Sequence, residues 1–272
     1  MMEQENEFYI GWQEHAPSSF KSSRKGFFII TLIVAIIFGI TYLFIERPFI
    51  ESTFDFGNLT ELEGTLVEYP VFGLKTSIDD QTVTVPLVGF GKFDALPVLD
   101  RIRSEAGDTP LEKLKVKLRG TIIQYRDRMW MELTEGNGSI IEVNTMDHLP
   151  ERIINNKGTK TVIGEIIDPK CFFGVMNPAY GKIHKSCAIR CISGGIPPVL
   201  AVGEHGEFSD YYFLVDQQGH SVNKEVLAYV GIPVSLSGDV QQVDDWNVIK
   251  ISPGELQTSV LIKLDNSFAY CF

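Results

Sequence analysis

The run from Gly26 to Ile45, GFFIITLIVAIIFGITYLFI, constrains this chain more than any other segment: 20 residues without a charge. At a rise of about 1.5 Å per residue such a helix is about 30 Å long, the thickness of a bilayer's hydrocarbon core. In water its Ile, Leu and Phe side chains, pointing all ways round, would need cover that a small protein lacks. In lipid they need none, and a helix satisfies its own backbone. A cleaved signal sequence has a shorter apolar region and a small-x-small site, whereas here Glu46-Arg47-Pro48 follows an aromatic-rich end. The segment reads as a retained single-pass anchor. Lys21, Arg24 and Lys25 precede it and Arg47 alone follows closely. The positive-inside rule then puts the N-terminus in the cytoplasm and the bulk of the chain outside. For a Gram-negative source that means an inner-membrane protein facing the periplasm.

Residues 1–47 hold four of the 24 basic and five of the 35 acidic residues, so the exported part has a net charge near −10. Phosphate binding needs clustered Lys and Arg, so this balance argues against nucleic acid or anionic lipid as a partner. It leaves cationic, metal and protein partners open. All four cysteines, Cys171, Cys187, Cys191 and Cys271, fall in the exported part, where disulfides persist.

The predicted organisation is a cytoplasmic tail (1–25), a transmembrane helix (26–45), a linker (46–60), a first β domain (60–147), a second (160–256) and a C-terminal extension (257–272). LEGTLVEYPVFGL, TVTVPLVGFG, KLKVKLRGTIIQY and RMWMELTE read as strands by alternation or β-branched content, with a helical interval over 94–106. KTVIGEIID, YYFLVD, VSLSGDVQQV and WNVIKI repeat the style, with a helical interval near SVNKEVLAYV. Gly64 to Glu68 resembles Gly164 to Asp168, and the run from Val116 aligns without gaps on the run from Val234. The offset grows from 100 to 118, so the second half carries an insertion. Several strands, a helix between the third and fourth, and a late V-x-V-x-G strand fit a Greek-key barrel of the OB type. The expected fold is mainly β with short helices: one transmembrane helix followed by two small OB-like barrels.

The insertion, 168–202, holds Cys171, His184, Cys187 and Cys191 at C-x12-H-x2-C-x3-C, closed by Gly194-Gly195 and Pro197-Pro198. If 184–192 is helical, His184, Cys187 and Cys191 share one face, and Cys171, at the end of the preceding strand, supplies a fourth ligand. Three thiolates and an imidazole suit zinc, and soft sulfur suits copper(I), with Met176 as an extra copper ligand. The even cysteine count also fits structural disulfides. Cβ atoms four apart on a helix are about 5–6 Å apart, and a disulfide wants about 3.5–4.5 Å. Cys187–Cys191 is therefore a poor bond, and Cys171 with either is better, leaving the other for Cys271. A thiol–disulfide redox pair at Cys187 and Cys191 is the remaining reading.

The run D-x-x-C-[FY]-x-G…G-K-x-H-x-x-C-A-x-x-C-x-x-G-G-x-P-P, carried here by Asp168, Cys171, Gly174, Gly181, His184, Cys187, Ala188, Cys191, Gly194 and Pro197, resembles a signature of exported bacterial OB-like proteins that have no established activity. YIGWQ-x-x-AP-x-S-F (9–20) and VGFGKF (88–93) are similar to a membrane-anchored subset of these. The resemblance implies a bacterial, membrane-anchored protein and no catalytic assignment.

Val88-Gly-Phe-Gly-Lys92 lacks the spacing of a phosphate loop and reads as a strand–turn feature. His205 and His220 read as exposed loop residues, and Asp127, Asp244 and Asp245 as turn residues, not an acid–base pair. No common hydrolase, zinc-protease or c-type haem motif occurs. The expected function is a membrane-tethered accessory or interaction module, without catalytic residues, whose Cys/His cluster is disulfide-stapled or binds zinc or copper. It would associate with a redox or metal-handling complex through a protein partner. The alternatives are a redox enzyme using Cys187 and Cys191, or a structural subunit of a larger membrane assembly.

Overall fold

The computed structural model describes residues 18–45, 52–147, 151–174, 176–204, 206–252 and 256–258, in two compact units. In the first, α1 (Ser18–Ile45) is exposed throughout Arg24–Ile45, the part long and apolar enough to cross a membrane. Its hydroxyls turn back on the helix: Thr31 Oγ1 donates to Phe27 O at 2.9 Å and Thr41 Oγ1 to Ile37 O at 2.7 Å. These two hydroxyls therefore need no outside partner in an apolar medium.

The second unit is built from two sheets. The first contains β1 (Ser52–Phe54), β2 (Thr60–Val67), β3 (Gly73–Ile78), β4 (Gln81–Gly89), β5 (Leu114–Tyr125), β6 (Arg128–Leu133) and β7 (Ile140–Thr145). Pairings run β5–β2–β3–β4–β6 and return to β5, closing a five-stranded barrel in which only β4–β6 is parallel. LEGTLVEYPVFGL is thus two strands, β2 and β3, parted at Tyr69-Pro70. The stretch read as linker contributes β1, which pairs with β5.

The second sheet contains β8 (Ile154–Ile167), β9 (Val199–Glu204), β10 (Glu207–Val215), β11 (Pro233–Val243), β12 (Trp246–Lys250) and β13 (Leu256–Thr258). It follows the same circuit, β11–β8–β9–β10–β12 and back to β11, again with one parallel pair, β10–β12. The registers repeat: Gly64 faces Val116, and Gly164 faces Val234. The glycine of V-x-V-x-G has the same reason in both. A Cβ on Gly120 would lie 2.3 Å from Glu132 O, and one on Gly238 would lie 2.3 Å from Lys250 O. Only glycine lets the closing strand come so near.

Helix α2 (Leu96–Ala106) lies between the third and fourth strands of the first circuit, burying Val98, Leu99 and Ile102. Helix α5 (Asn223–Val226) takes that place in the second. Between the first two strands of the second circuit, where the first has only a turn, come α3 (Pro169–Phe173) and α4 (Gly181–Ser193). Cys171 is therefore in a short helix, not at a strand end, because Asp168 caps the chain into a helical turn as soon as β8 stops. PPVLAV, read as part of the insertion, supplies β9.

Each sheet has its own apolar core, one around Leu74, Leu99, Leu118 and Met131, the other around Ile166, Ile192, Leu236 and Ile249. A third core joins them: Ile123, Tyr125 and Trp130 from the first pack against Phe172, Phe173, Phe213 and Trp246 from the second. Trp130 and Trp246 meet edge to face, centroids 5.7 Å apart. The two aspartates read as local turn residues do more than shape the turn. Asp245 Oδ1 accepts from Thr84 N at 3.1 Å, and Asp244 pairs with Lys75 at 2.8 Å. Next to them Trp246 Nε1 donates to Thr84 O at 2.9 Å. One hairpin tip of the second sheet is thereby fastened to the first.

Candidate metal centre

Asp168 starts the site. Its Oδ1 accepts from the backbone N–H groups of Lys170 (3.0 Å) and Cys171 (3.4 Å), while Pro169 occupies the first helical turn, where its missing N–H costs nothing. The cap fixes the carboxylate and brings Cys171 round beside it. The other oxygen, Oδ2, is fully buried and has no partner. A Cβ on Gly174 would sit 2.6 Å from Lys170 O, so the chain leaves α3 as tightly as glycine permits.

Helix α4 begins at Gly181, whose N–H donates to the Glu165 carboxylate. As the spacing predicted, it is helical through His184, Cys187 and Cys191, and a period of about 3.6 residues puts these three on one side. Ala188 and Ile192 turn into the second sheet's core. His184 is buried, and its Nε2 has no partner.

The site's third wall comes from far away in sequence. Lys170 is buried, pairs with Glu132 at 3.2 Å, and donates to the carbonyls of Gly89 (2.9 Å) and Gly91 (2.6 Å). Glu132 Oε1 also accepts from Gly91 N. Asp94 N donates to Gly194 O, and a Cβ on Gly194 would lie 1.9 Å from Lys92 O. The VGFGKF segment is thus pinned between α3 and the end of α4. Lys92 Nζ then stands 3.0 Å from Cys187 Sγ.

The donor atoms form two groups. The sulfurs of Cys171, Cys187 and Cys191 lie within 4.8 Å of one another, and so do the ligand atoms of Asp168, Cys171 and His184. All three cysteines are free thiols, so the expected disulfides do not form among them; Cys271 lies outside the described residues. Helical Cβ spacing keeps Cys187 and Cys191 apart as a bonded pair, and the Cys171 thiol lies beside Cys191 unbonded.

The neighbouring Cys191 sulfur, then burial and the Asp168 carboxylate, push the Cys171 thiol far above its ordinary pKa. Burial draws His184 below its usual value, Asp168 opposing and Lys92 assisting, so the imidazole is neutral and Nε2 is available as a donor. The bond to Cys187 sulfur is the main cause of the raised pKa of Lys92. A buried carboxylate oxygen or imidazole nitrogen without a partner costs about 1–3 kcal/mol. Two such orphans on residues grouped with a thiol are what a cation would satisfy. Thiolates bound to zinc at about 2.3 Å lie about 3.8 Å apart in a tetrahedron, which the sulfur group accommodates. A bound cation would also reverse the electrostatics that hold Cys171 protonated.

Sequence reading found Cys171, His184, Cys187 and Cys191 but assigned no role to Asp168, although it belongs to the recognised run. Lys92, Lys170 and Glu132 escaped because their partners are far off in the chain. Met176 is partly exposed, its N–H on Cys171 O at 3.4 Å. His220 is an exposed turn residue paired with Asp216, and His205 lies outside the described residues. Comparison with protein families, curated proteins and solved structures finds no match for the chain.

Proposed function

We propose that this chain is a membrane-tethered accessory module that binds a thiophilic transition metal, zinc or copper(I), at the junction of two OB-like barrels. The observation that carries this reading is the set of three unbonded cysteine sulfurs within 4.8 Å of one another, beside the orphaned buried donors of Asp168 and His184. The like circuits of the two sheets support the OB-like description. The apolar helix and the basic residues before it support a single-pass anchor with the barrels outside the cytoplasm. There the module would work within a membrane complex, with a protein and not a nucleic acid as partner. Its role is to hold or hand on metal.

The test is metal analysis of the full-length protein, solubilised in detergent under reducing conditions. Zinc or copper should co-purify and be lost when Cys187 and Cys191 are both replaced by Ser. Protein free of both metals that also fails to take them up from buffer would end this reading. One observation favours a second, a thiol–disulfide function: the Lys92 ammonium stands 3.0 Å from the Cys187 sulfur, the kind of cationic neighbour reactive cysteines keep. A mass-spectrometric search for a Cys187 disulfide after mild oxidation separates the two.

A further inference from the structure

Building on the metal-binding reading, we propose that the centre takes a pair of metal ions bridged by the sulfur of Cys171. Two donors on one ion cannot be further apart than the sum of their bond lengths, about 4.6 Å for two thiolates and about 4.3 Å for a thiolate with an imidazole or carboxylate. The five donors are not grouped together even at 4.8 Å. They divide into Cys171, Cys187 and Cys191, and Asp168, Cys171 and His184, with Cys171 the only member of both. An ion held by the first group leaves Asp168 Oδ2 and His184 Nε2 buried and unpartnered, and these are the two orphans the fold maintains there. An ion held by the second leaves Cys187 and Cys191 unused.

A thiolate has lone pairs enough to bind both ions, and Cys171 stands where the groups meet. The charges also balance, since three thiolates and one carboxylate match two divalent cations with His184 neutral. The all-sulfur position suits zinc or copper(I), and the mixed oxygen–nitrogen–sulfur position suits zinc. Each ion has three protein donors and so keeps a fourth tetrahedral position open to an outside ligand. A site of that kind suits metal transfer better than a closed structural one.

The experiment is a titration of metal-free, reduced, full-length protein in detergent with Co2+, then with Zn2+, counting bound ions by native mass spectrometry. The proposal expects uptake of a pair of ions per chain. It also expects a Co2+ spin-resonance signal at saturation well below the sum of two isolated ions, because a shared thiolate couples their spins. Asp168→Asn and His184→Ala should each bind one ion and keep strong sulfur-to-cobalt charge transfer. Cys187→Ser should bind one with that absorption weakened, and Cys171→Ser should lose affinity at both. Saturation of the unaltered protein at one ion would overturn the proposal while leaving the metal-binding reading intact, and no uptake would overturn both. Two ions with fully additive spin signals would overturn the bridge. These outcomes are read on the unaltered chain, so they do not depend on whether a variant folds.

Discussion

Replacing Gly194 with Ala tests how the site is assembled. Gly194 has φ −79° and ψ 0°, a conformation open to alanine, so any cost is steric. A Cβ there would sit 1.9 Å from Lys92 O and 3.0 Å from Lys92 C, whereas ordinary contacts begin near 3.4 Å. The obstacle is backbone, so α4 and the Lys92 segment must separate by over an ångström. That separation breaks Asp94 N to Gly194 O, 3.1 Å. Overpacking of this kind costs about 1–3 kcal/mol, and losing a half-buried hydrogen bond about 0.5–1.5 kcal/mol more. A destabilisation of about 2–4 kcal/mol is expected, read as a lower urea midpoint by tryptophan fluorescence of the detergent-solubilised full-length chain. The same movement carries Lys92 Nζ off Cys187 Sγ, so metal affinity should fall as well. Gly91→Ala is the control: its φ is +68° with open space around it, so it should cost only about 1–2 kcal/mol of backbone strain. If Gly194→Ala changed stability by less than about 1 kcal/mol, the close approach that brings Lys92 to the thiols would not be a real constraint.

Two further changes probe the frame around the centre. Trp246→Phe removes the indole N–H that satisfies Thr84 O and part of the ring packed on Trp130, and should cost about 2–3 kcal/mol. A midpoint unchanged within error would show that the hairpin tip does not fasten the sheets. Burial raises the Glu165 carboxyl above its ordinary 4.5, outweighing the hydrogen bond from Gly181 N. The folded protein therefore holds that proton more tightly than the unfolded chain, and this stabilisation, full below about pH 4.5, is lost as pH rises through the folded value. Relative to the parent, Glu165→Gln should gain stability as the pH rises above about 4.5, measured as the difference in urea midpoints; a difference independent of pH would refute the sign.

The long apolar helix, the strand-rich part that follows it, the repeat and the helical face of His184, Cys187 and Cys191 were all legible in the chain. Each is a local pattern: an uncharged run, an alternation, a glycine at a fixed place in a strand, a spacing of three and four. Boundaries were less legible where one apolar run serves two strands, as at β2 and β3, or where a strand follows Pro197-Pro198, as β9 does. Asp168 lay in plain view, but a cap and a ligand look alike until the second oxygen is seen to have no partner.

What only the tertiary structure decided is how the site is closed. Nothing near Lys92 announces Cys187, 95 residues away. Nothing near Glu132 announces Lys170. Those contacts exist because the aromatic seam around Trp130 and Trp246 packs the two sheets together and Gly194 lets the end of α4 touch the VGFGKF segment. The division of the donors into two groups has the same origin. Helical spacing sets where Cys187 and Cys191 stand relative to His184, but the distance to Cys171 and Asp168 depends on how α3 packs, and packing is summed over contacts that no local pattern records.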